Sequence, residues 1–321
     1  MQTHSRRSAL AGFAASLVWL RPGAAQDQML RIVFSFSAGG AADGIARLIA
    51  DHLRSSLGRP VIVENIVGAG GRIGARMVKD AQPNGTKLLF ASNSQMTLQP
   101  HIYRDLGYDA FKDFVPISQT MRSEAAFAVG AQSPVHSIKE LISWLKANPI
   151  LALYGSPGVG TGPHLAGLEF ARLSGLDLRH APYKGTPAAL PDVLAGRVPL
   201  YIAMTAELIE QHKRGALRLL ATAAAARSPF LPDVPTLRES GIDIEAPGWF
   251  AFYAPAGTPD DIVARLEKEI VAATNAPEMR TKIETMGYLP TGTTSDALRT
   301  IQRADFERWG PIVKTSSFQI E

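Results

Sequence analysis

The chain has 321 residues, 46% of them hydrophobic and 19% charged, with no cysteine and a formal net charge of +4. That composition belongs to a globular protein of about two domains, and the lack of cysteine excludes disulfides, thiolate catalysis and Cys-ligated metals together. No Lys/Arg cluster follows the first 25 residues, so nucleic-acid binding has no electrostatic basis.

The N-terminus reads as an export signal. Arg6-Arg7 precedes an uncharged, mostly apolar run from Ala9 to Leu20, followed by Arg21-Pro22 and the small residues Gly23-Ala24-Ala25. A basic start, a short apolar segment and a small-residue cleavage site make a secretory signal. The run is shorter than the roughly 20 residues of a bilayer span. The paired arginines point to twin-arginine export, with an ordinary Sec signal as the alternative. Cleavage near Ala25 would remove Arg6, Arg7 and Arg21 and no acid, lowering the net charge from +4 to +1 and leaving a periplasmic protein.

Strand-like and helix-like segments then alternate, which predicts α/β architecture with largely parallel sheets. Residues 30–36 are a β-rich run that breaks at Ala38-Gly39-Gly40. Ile45, Leu48, Ile49, Leu53 and Leu57 recur at helical spacing and stop at Gly58. Residues 60–64 form the next strand, with a glycine-rich turn at 68–71, a helix to about Asp80 and a strand over 87–91. Ser137 and Glu140 form a capping box that opens a helix closed near Asn148-Pro149. A strand over 150–154 leads to a glycine-rich loop, and Pro163 occupies a helix start. Thr186-Pro187 starts a helix stopped by Gly196, and residues 198–203 form a strand. Helices beginning near Asp260 and Ser295 complete the chain.

Three loops share one construction: a strand end, small or hydroxylated residues, then a helix start. They hold Phe36, Ser37, Ala38, Gly39 and Gly40; Ser92, Asn93 and Ser94; and Ser156, Gly158, Val159, Gly160 and Thr161. In a parallel sheet such loops converge beyond the carboxyl ends of the strands, where ligands bind. Glycines let the backbone approach a ligand, and N–H groups at a helix start favour an anion. Any one of these loops alone would be a tight turn; three together predict a pocket rich in donors and poor in charge, suited to a carboxylate.

Catalytic templates do not fit. The third dinucleotide-fingerprint position is Ile73 around Gly68-Ala69-Gly70 and Pro163 around Gly158-Val159-Gly160. A nucleophile elbow at Ser156 would need glycine where Tyr154 stands. His52, His101, His136, His164, His180 and His212 show no metal-ligand spacing. The chain is therefore expected to be neither an enzyme nor a metal or cofactor protein. Among single residues, His164 either donates to a ligand or makes a structural bond. Asp43 reads as a helix-start acid. Tyr183 and Lys184 adjoin a candidate loop, and Trp249 with Phe250 either walls the pocket or packs in the core.

These residues resemble the tripartite tricarboxylate transporter substrate-binding proteins, the Bug-type receptors. The resemblance runs from Arg31-Ile32-Val33 with Phe36-Ser37-Ala38-Gly39-Gly40 and Asp43, through Val63-Glu64-Asn65 with Gly68-Ala69-Gly70-Gly71, and through Tyr108-Asp109 with Lys112-Asp113-Phe114. It continues with Tyr154-Gly155-Ser156-Pro157-Gly158-Val159-Gly160-Thr161 and His164-Leu165-Ala166-Gly167, then Pro182-Tyr183-Lys184-Gly185. Arg227-Ser228, residues 231–236, Glu239-Ser240-Gly241 and residues 254–259 complete the series in order.

The resemblance implies a type II periplasmic-binding-protein fold, two α/β lobes joined by two crossover strands with a ligand cleft between them. The expected division is residues 26–127 plus 251–321 against 128–250, with crossovers near 127–129 and 250–253. It implies capture of a small organic carboxylate for membrane transporter subunits, by a monomer without cofactor. A sensing receptor for a two-component system would have the same sequence, and an exported hydrolase or lyase is the remaining alternative. One departure stands out: many members carry aspartate and asparagine where this chain has Ala203, Met204 and Thr205. Loss of that carboxylate predicts a less polar distal pocket, suited to an apolar or aromatic acid rather than an amino acid.

Overall fold

A computed structural model describes residues 29–316, so the expected export signal lies outside the described residues. In chain order the elements are β1 (Leu30–Phe34), α1 (Ala41–Leu57), β2 (Val61–Asn65), α2 (Arg72–Lys79), β3 (Lys87–Ser92), α3 (Gln99–Ile102) and β4 (Phe114–Gly130). Then come α4 (Ile138–Ala147), β5 (Leu153–Ser156), α5 (Gly162–Ser174), β6 (Arg179–Pro182), α6 (Thr186–Leu194), β7 (Leu200–Met204), α7 (Thr205–Lys213) and β8 (Leu217–Thr222). The chain closes with β9 (Pro247–Pro255), α8 (Asp260–Asn275), α9 (Pro277–Thr285), β10 (Leu289–Pro290) and α10 (Ser295–Ser316).

In one lobe β1 lies between β2 and β3, all parallel, and β3 continues antiparallel onto β9. In the other, β5 lies parallel between β6 and β7. Two long strands join the lobes. Residues Phe114 to Glu124 of β4 pair with β9, and from Ala125 onward β4 pairs with β7 and β8 instead. The backbone exchange is direct: Ala125 N–H donates to Ala246 O at 2.9 Å, and Ala223 N–H donates to Ala125 O at 2.7 Å. This is the expected α/β fold, with the change of partner placed at Glu124–Ala125.

Parallel strands covered on both faces must be apolar on both. Accordingly Leu30, Ile32 and Phe34 pack with Ile45, Ile49 and Leu53 of α1, while Val33 packs on the opposite face with Leu89, Ala91 and Trp309. The second lobe repeats this, with Phe127 and Val129 on one face and Ala126 and Ala128 on the other. Buried side chains of this size contribute about 1.5–3 kcal/mol each, which fixes the sheets that carry the loops.

Local signals govern several helix ends. Gly58 closes α1 at φ 64° and Gly175 closes α5 at φ 64°, a conformation with no steric penalty for glycine. Ser137 accepts from Glu140 N–H as expected, but the Glu140 carboxylate accepts from His136 N–H at 2.7 Å, one residue before the usual partner. The strand expected over 150–154 starts at Leu153 because Pro149–Leu151 winds into a short 3₁₀ turn that leaves Ile150 exposed. The first strand stops at Phe34, which releases Ser35 and Phe36 into the loop.

Candidate functional site

The sheets' carboxyl ends face each other across a cavity of about 60 Å³. From the first lobe its wall includes Phe34, Phe36, Ser37, Gly40, Ser92, Asn93, Ser94, Trp249 and Phe250; from the second, Pro157, Thr161, Pro163, Gly185, Thr186, Pro187, Met204 and Glu207. Four aromatic rings with Met204 and prolines make most of the wall apolar, and hydroxyls supply most of the polar groups. Ser37 Oγ and Trp249 Nε1 are buried on this wall without a hydrogen-bond partner. Buried polar atoms left unpaired are costly, which sets these two apart from the other polar groups of the wall.

The lobes also bond to each other around the cavity. Ser37 N–H donates to Lys184 O at 3.1 Å. Gly162 N–H donates to Ser94 Oγ at 3.0 Å. A Cβ on Gly70 would overlap the Val159 carbonyl oxygen, so that approach needs glycine. The loops are held from behind as well. Gln95 Nε2 donates to Ser35 Oγ at 3.1 Å and Gly71 O at 3.0 Å, and Gln99 Nε2 donates to Gly70 O at 2.7 Å. These glutamines come from a π-helical turn, Ser94–Leu98, and the following α3. Such turns are frequent at functional sites.

Of the residues expected at the site, Phe36, Ser37, Gly40, Asn93, Ser94, Thr161, Met204 and Trp249 meet at the cavity. The others lie close behind it or point away. Gly39 N–H donates to the Asp43 carboxylate at 3.1 Å, and Ala38 is an exposed loop residue. Gly158 packs toward Gly70, and Val159 meets it through its carbonyl. Ala203 is buried in β7, and Thr205 Oγ1 donates to Glu124 O at 3.0 Å where β4 changes partner. Tyr183 OH donates to Asp192 at 2.7 Å. Lys184 contributes its carbonyl, with an exposed side chain.

Asp43 is a hub of the first loop. Burial would raise its pKa, but hydrogen bonds from Arg47, Asn65 and Gly39 N–H outweigh that and hold it below the usual carboxylate range. Asn65 Nδ2 also donates to Phe36 O at 3.1 Å, which fixes the loop against β2.

Ser156, His164 and His180 form a layer beneath the loop after β5. Ser156 Oγ lies 2.7 Å from His180 Nε2, and the two imidazoles stack 3.9 Å apart with Tyr154 against them. Gly160 N–H donates to His164 Nδ1 at 3.2 Å, so this ring holds loop backbone. Burial lowers the His164 pKa to about 3, helped by His180, and lowers the His180 pKa to about 4. Both rings are neutral at neutral pH.

Glu207 was not foreseen. It sits in the first turn of α7 and reaches across the cleft to the start of α1, where Ala41 N–H donates to it at 3.2 Å and Ala42 N–H at 3.0 Å. Tyr288 OH donates to it at 3.2 Å. Burial raises its pKa despite these donors. No local motif announces this, since its partners lie about 80 and 165 residues away in the chain. Among the described residues no group of His, Asp or Glu is arranged to hold a metal, and no helix is long and apolar enough to cross a membrane.

Two lobes, two crossover strands and an interlobe cavity at the strands' carboxyl ends define a solute-binding receptor of the type II periplasmic-binding-protein class. Residues 45–318 match the family model described as the tripartite tricarboxylate transporter family receptor, and the chain belongs to that family. It is 34% identical over 258 residues to a UPF0065 protein of Bordetella bronchiseptica, covering 80% of this chain and 76% of the relative. The structure of periplasmic binding protein BugD superposes with a TM-score of 0.86 at 31% identity, covering 91% of this chain and 98% of BugD. An R. palustris protein solved with adipate superposes with a TM-score of 0.86 at 30% identity, covering 90% and 97% of the two chains.

Proposed function

We propose that this chain is an exported, monomeric receptor that closes its lobes on a small organic carboxylate and delivers it to the membrane subunits of a tripartite transporter. The cavity carries this reading: three helix starts and a ring of hydroxyls converge on a space whose wall includes two unpaired buried donors, Ser37 Oγ and Trp249 Nε1. The adipate bound by the R. palustris relative supports a carboxylate as ligand. Phe36, Ser37, Gly40, Asn93, Ser94, Thr161, Met204 and Trp249 form the proposed contact set. The other expected site residues shape the loops behind them.

The change of partner in β4 at Glu124–Ala125, and the pairing of β9 from Pro247 onward with β3 and β4 of the first lobe, support a two-lobe division whose bounds lie near 124/125 and 246/247 rather than at 127/128 and 250/251, with the hinge at these two points. Because interlobe bonds surround the cavity, ligand must enter with the lobes apart, and closure presents a new surface to the membrane partner. Met204 lies between Gly162 and Gly248 on the cavity wall, which supports an apolar or aromatic body for the ligand. The protein holds its ligand without turning it over.

Thermal unfolding against di- and tricarboxylates, acidic amino acids, aromatic acids and neutral sugars tests this. A ligand at about 100 times its dissociation constant stabilises by about 2.7 kcal/mol. A carboxylate should raise the midpoint and be recovered unchanged. A shift with sugars alone, or conversion of the bound acid, would overturn the proposal.

A further inference from the structure

Three helix starts border the cavity: Gly40 at α1, Thr161 and Pro163 at α5, and Gly185 with Thr186 at α6. They differ in what occupies their donors. At α5, Gly162 N–H donates to Ser94 Oγ, Pro163 has no N–H, and His164 N–H donates to Thr161 Oγ1. At α1 the first two N–H groups are taken by Glu207, the one charged side chain on the cavity wall. At α6, Gly185 N–H donates to Pro157 O at 3.0 Å and Pro187 has no N–H, but no side chain caps the nine-residue helix and no carboxylate fills its start. Next to that start lies Ser37 Oγ, so near that a Cβ on Gly185 would stand 2.6 Å from it. The same cavity exposes Trp249, 5% accessible, whose Nε1 also lacks a partner.

Resting on the carboxylate-receptor reading, we infer that Glu207 sets the charge of the ligand: it fills the α1 anion seat from within the chain, so the cavity takes acids with one carboxylate and an apolar body and rejects dicarboxylates. The ligand's carboxylate goes to the α6 start, Ser37 Oγ and Trp249 Nε1. A second carboxylate directed toward Gly40 would meet a like charge and donors already in use. Glu207 itself has two backbone donors and a tyrosine hydroxyl, so it does not call for an amine on the ligand.

The test is calorimetric titration of the purified protein with two matched pairs, hexanoate against adipate and benzoate against terephthalate, with γ-aminobutyrate as the cationic arm. The unaltered protein should bind each monoacid at least about tenfold more tightly than its diacid, because like charges placed together are costly. Glu207→Ala should open the seat and shift the ratio of diacid to monoacid affinity by about tenfold or more toward the diacid, while Glu207→Gln, which removes charge and keeps size, should shift it less. Adipate or terephthalate bound as tightly as the monoacid by the unaltered protein would overturn the inference, whether or not the variants fold. So would preference for γ-aminobutyrate over hexanoate. If no acid binds either protein and none is released on denaturation, the receptor reading itself fails, and this inference fails with it.

Discussion

The loop after β1 and the loop after β5 have the same grammar in sequence, and the structure completes them in opposite ways. After β5, Thr161 caps its own helix by accepting from His164 N–H, and His164 returns to the loop by accepting from Gly160 N–H. After β1, Gly40 offers no cap, and the carboxylate at the start of α1 comes from the other lobe through Glu207. The first arrangement lies within one lobe and is expected to persist when the lobes part. The second spans both lobes, so the cap of α1 depends on closure while the cap of α5 does not, although Gly162 N–H of α5 also bonds across the cleft to Ser94.

The largest effect should come from preventing the lobes from meeting. Gly70→Val places a branched side chain at φ 63°, against the Val159 carbonyl of the β5 loop. With strain of about 3 kcal/mol on closure, carboxylate affinity should fall about a hundredfold. Gly58→Val, at φ 64° in open space, should lower stability and leave affinity unchanged. Equal losses of affinity in both would show that closure does not depend on this contact.

Acid should act on the β5 loop next. His164 and His180 are held neutral, at about 3 and about 4 against an ordinary 6.5. Below pH 6.5 the unfolded chain therefore takes up protons that the folded chain refuses. Stability from these rings is present above pH 6.5 and is lost as pH falls toward 4 and then 3. His164 alone should cost about 2 kcal/mol by pH 5, seen as a falling midpoint that is shallower in His164→Gln. An equal slope in the variant would remove His164 from this account.

The smallest effects separate the two caps. Thr161→Ala should lower unfolding stability by about 1 kcal/mol and leave the open–closed balance alone. Glu207→Ala should instead enlarge the radius of gyration of the ligand-free protein in small-angle scattering. If Thr161→Ala opened the protein as much, the distinction between the two loops would collapse.

Much of this was legible in the residues. The apolar spacing of Ile45, Ile49 and Leu53 and the stop at Gly58 define α1, and the ordered loop motifs define the family. Pro163 and Ser137 placed two helix starts to within a residue. The shifts at Ile150 and Phe36 arose where an apolar residue serves a turn or a loop rather than a strand. Gln95 and Gln99 went unremarked because a buried glutamine has no sequence signature apart from the backbone it satisfies. His164, read as either a ligand donor or a structural bond, accepts from Gly160 N–H of the loop, and His180 stacks against it from the next strand.

The sequence by itself determined the alternation of strands and helices, the glycines and caps at their ends and the family, because hydrophobic period and capping depend on neighbours within a few positions. Only the tertiary structure decided which helix start is already occupied. Glu207 lies 165 residues from Ala42, and Ser94 lies 68 from Gly162. Pairings at that separation depend on how two lobes meet, and no local pattern encodes them.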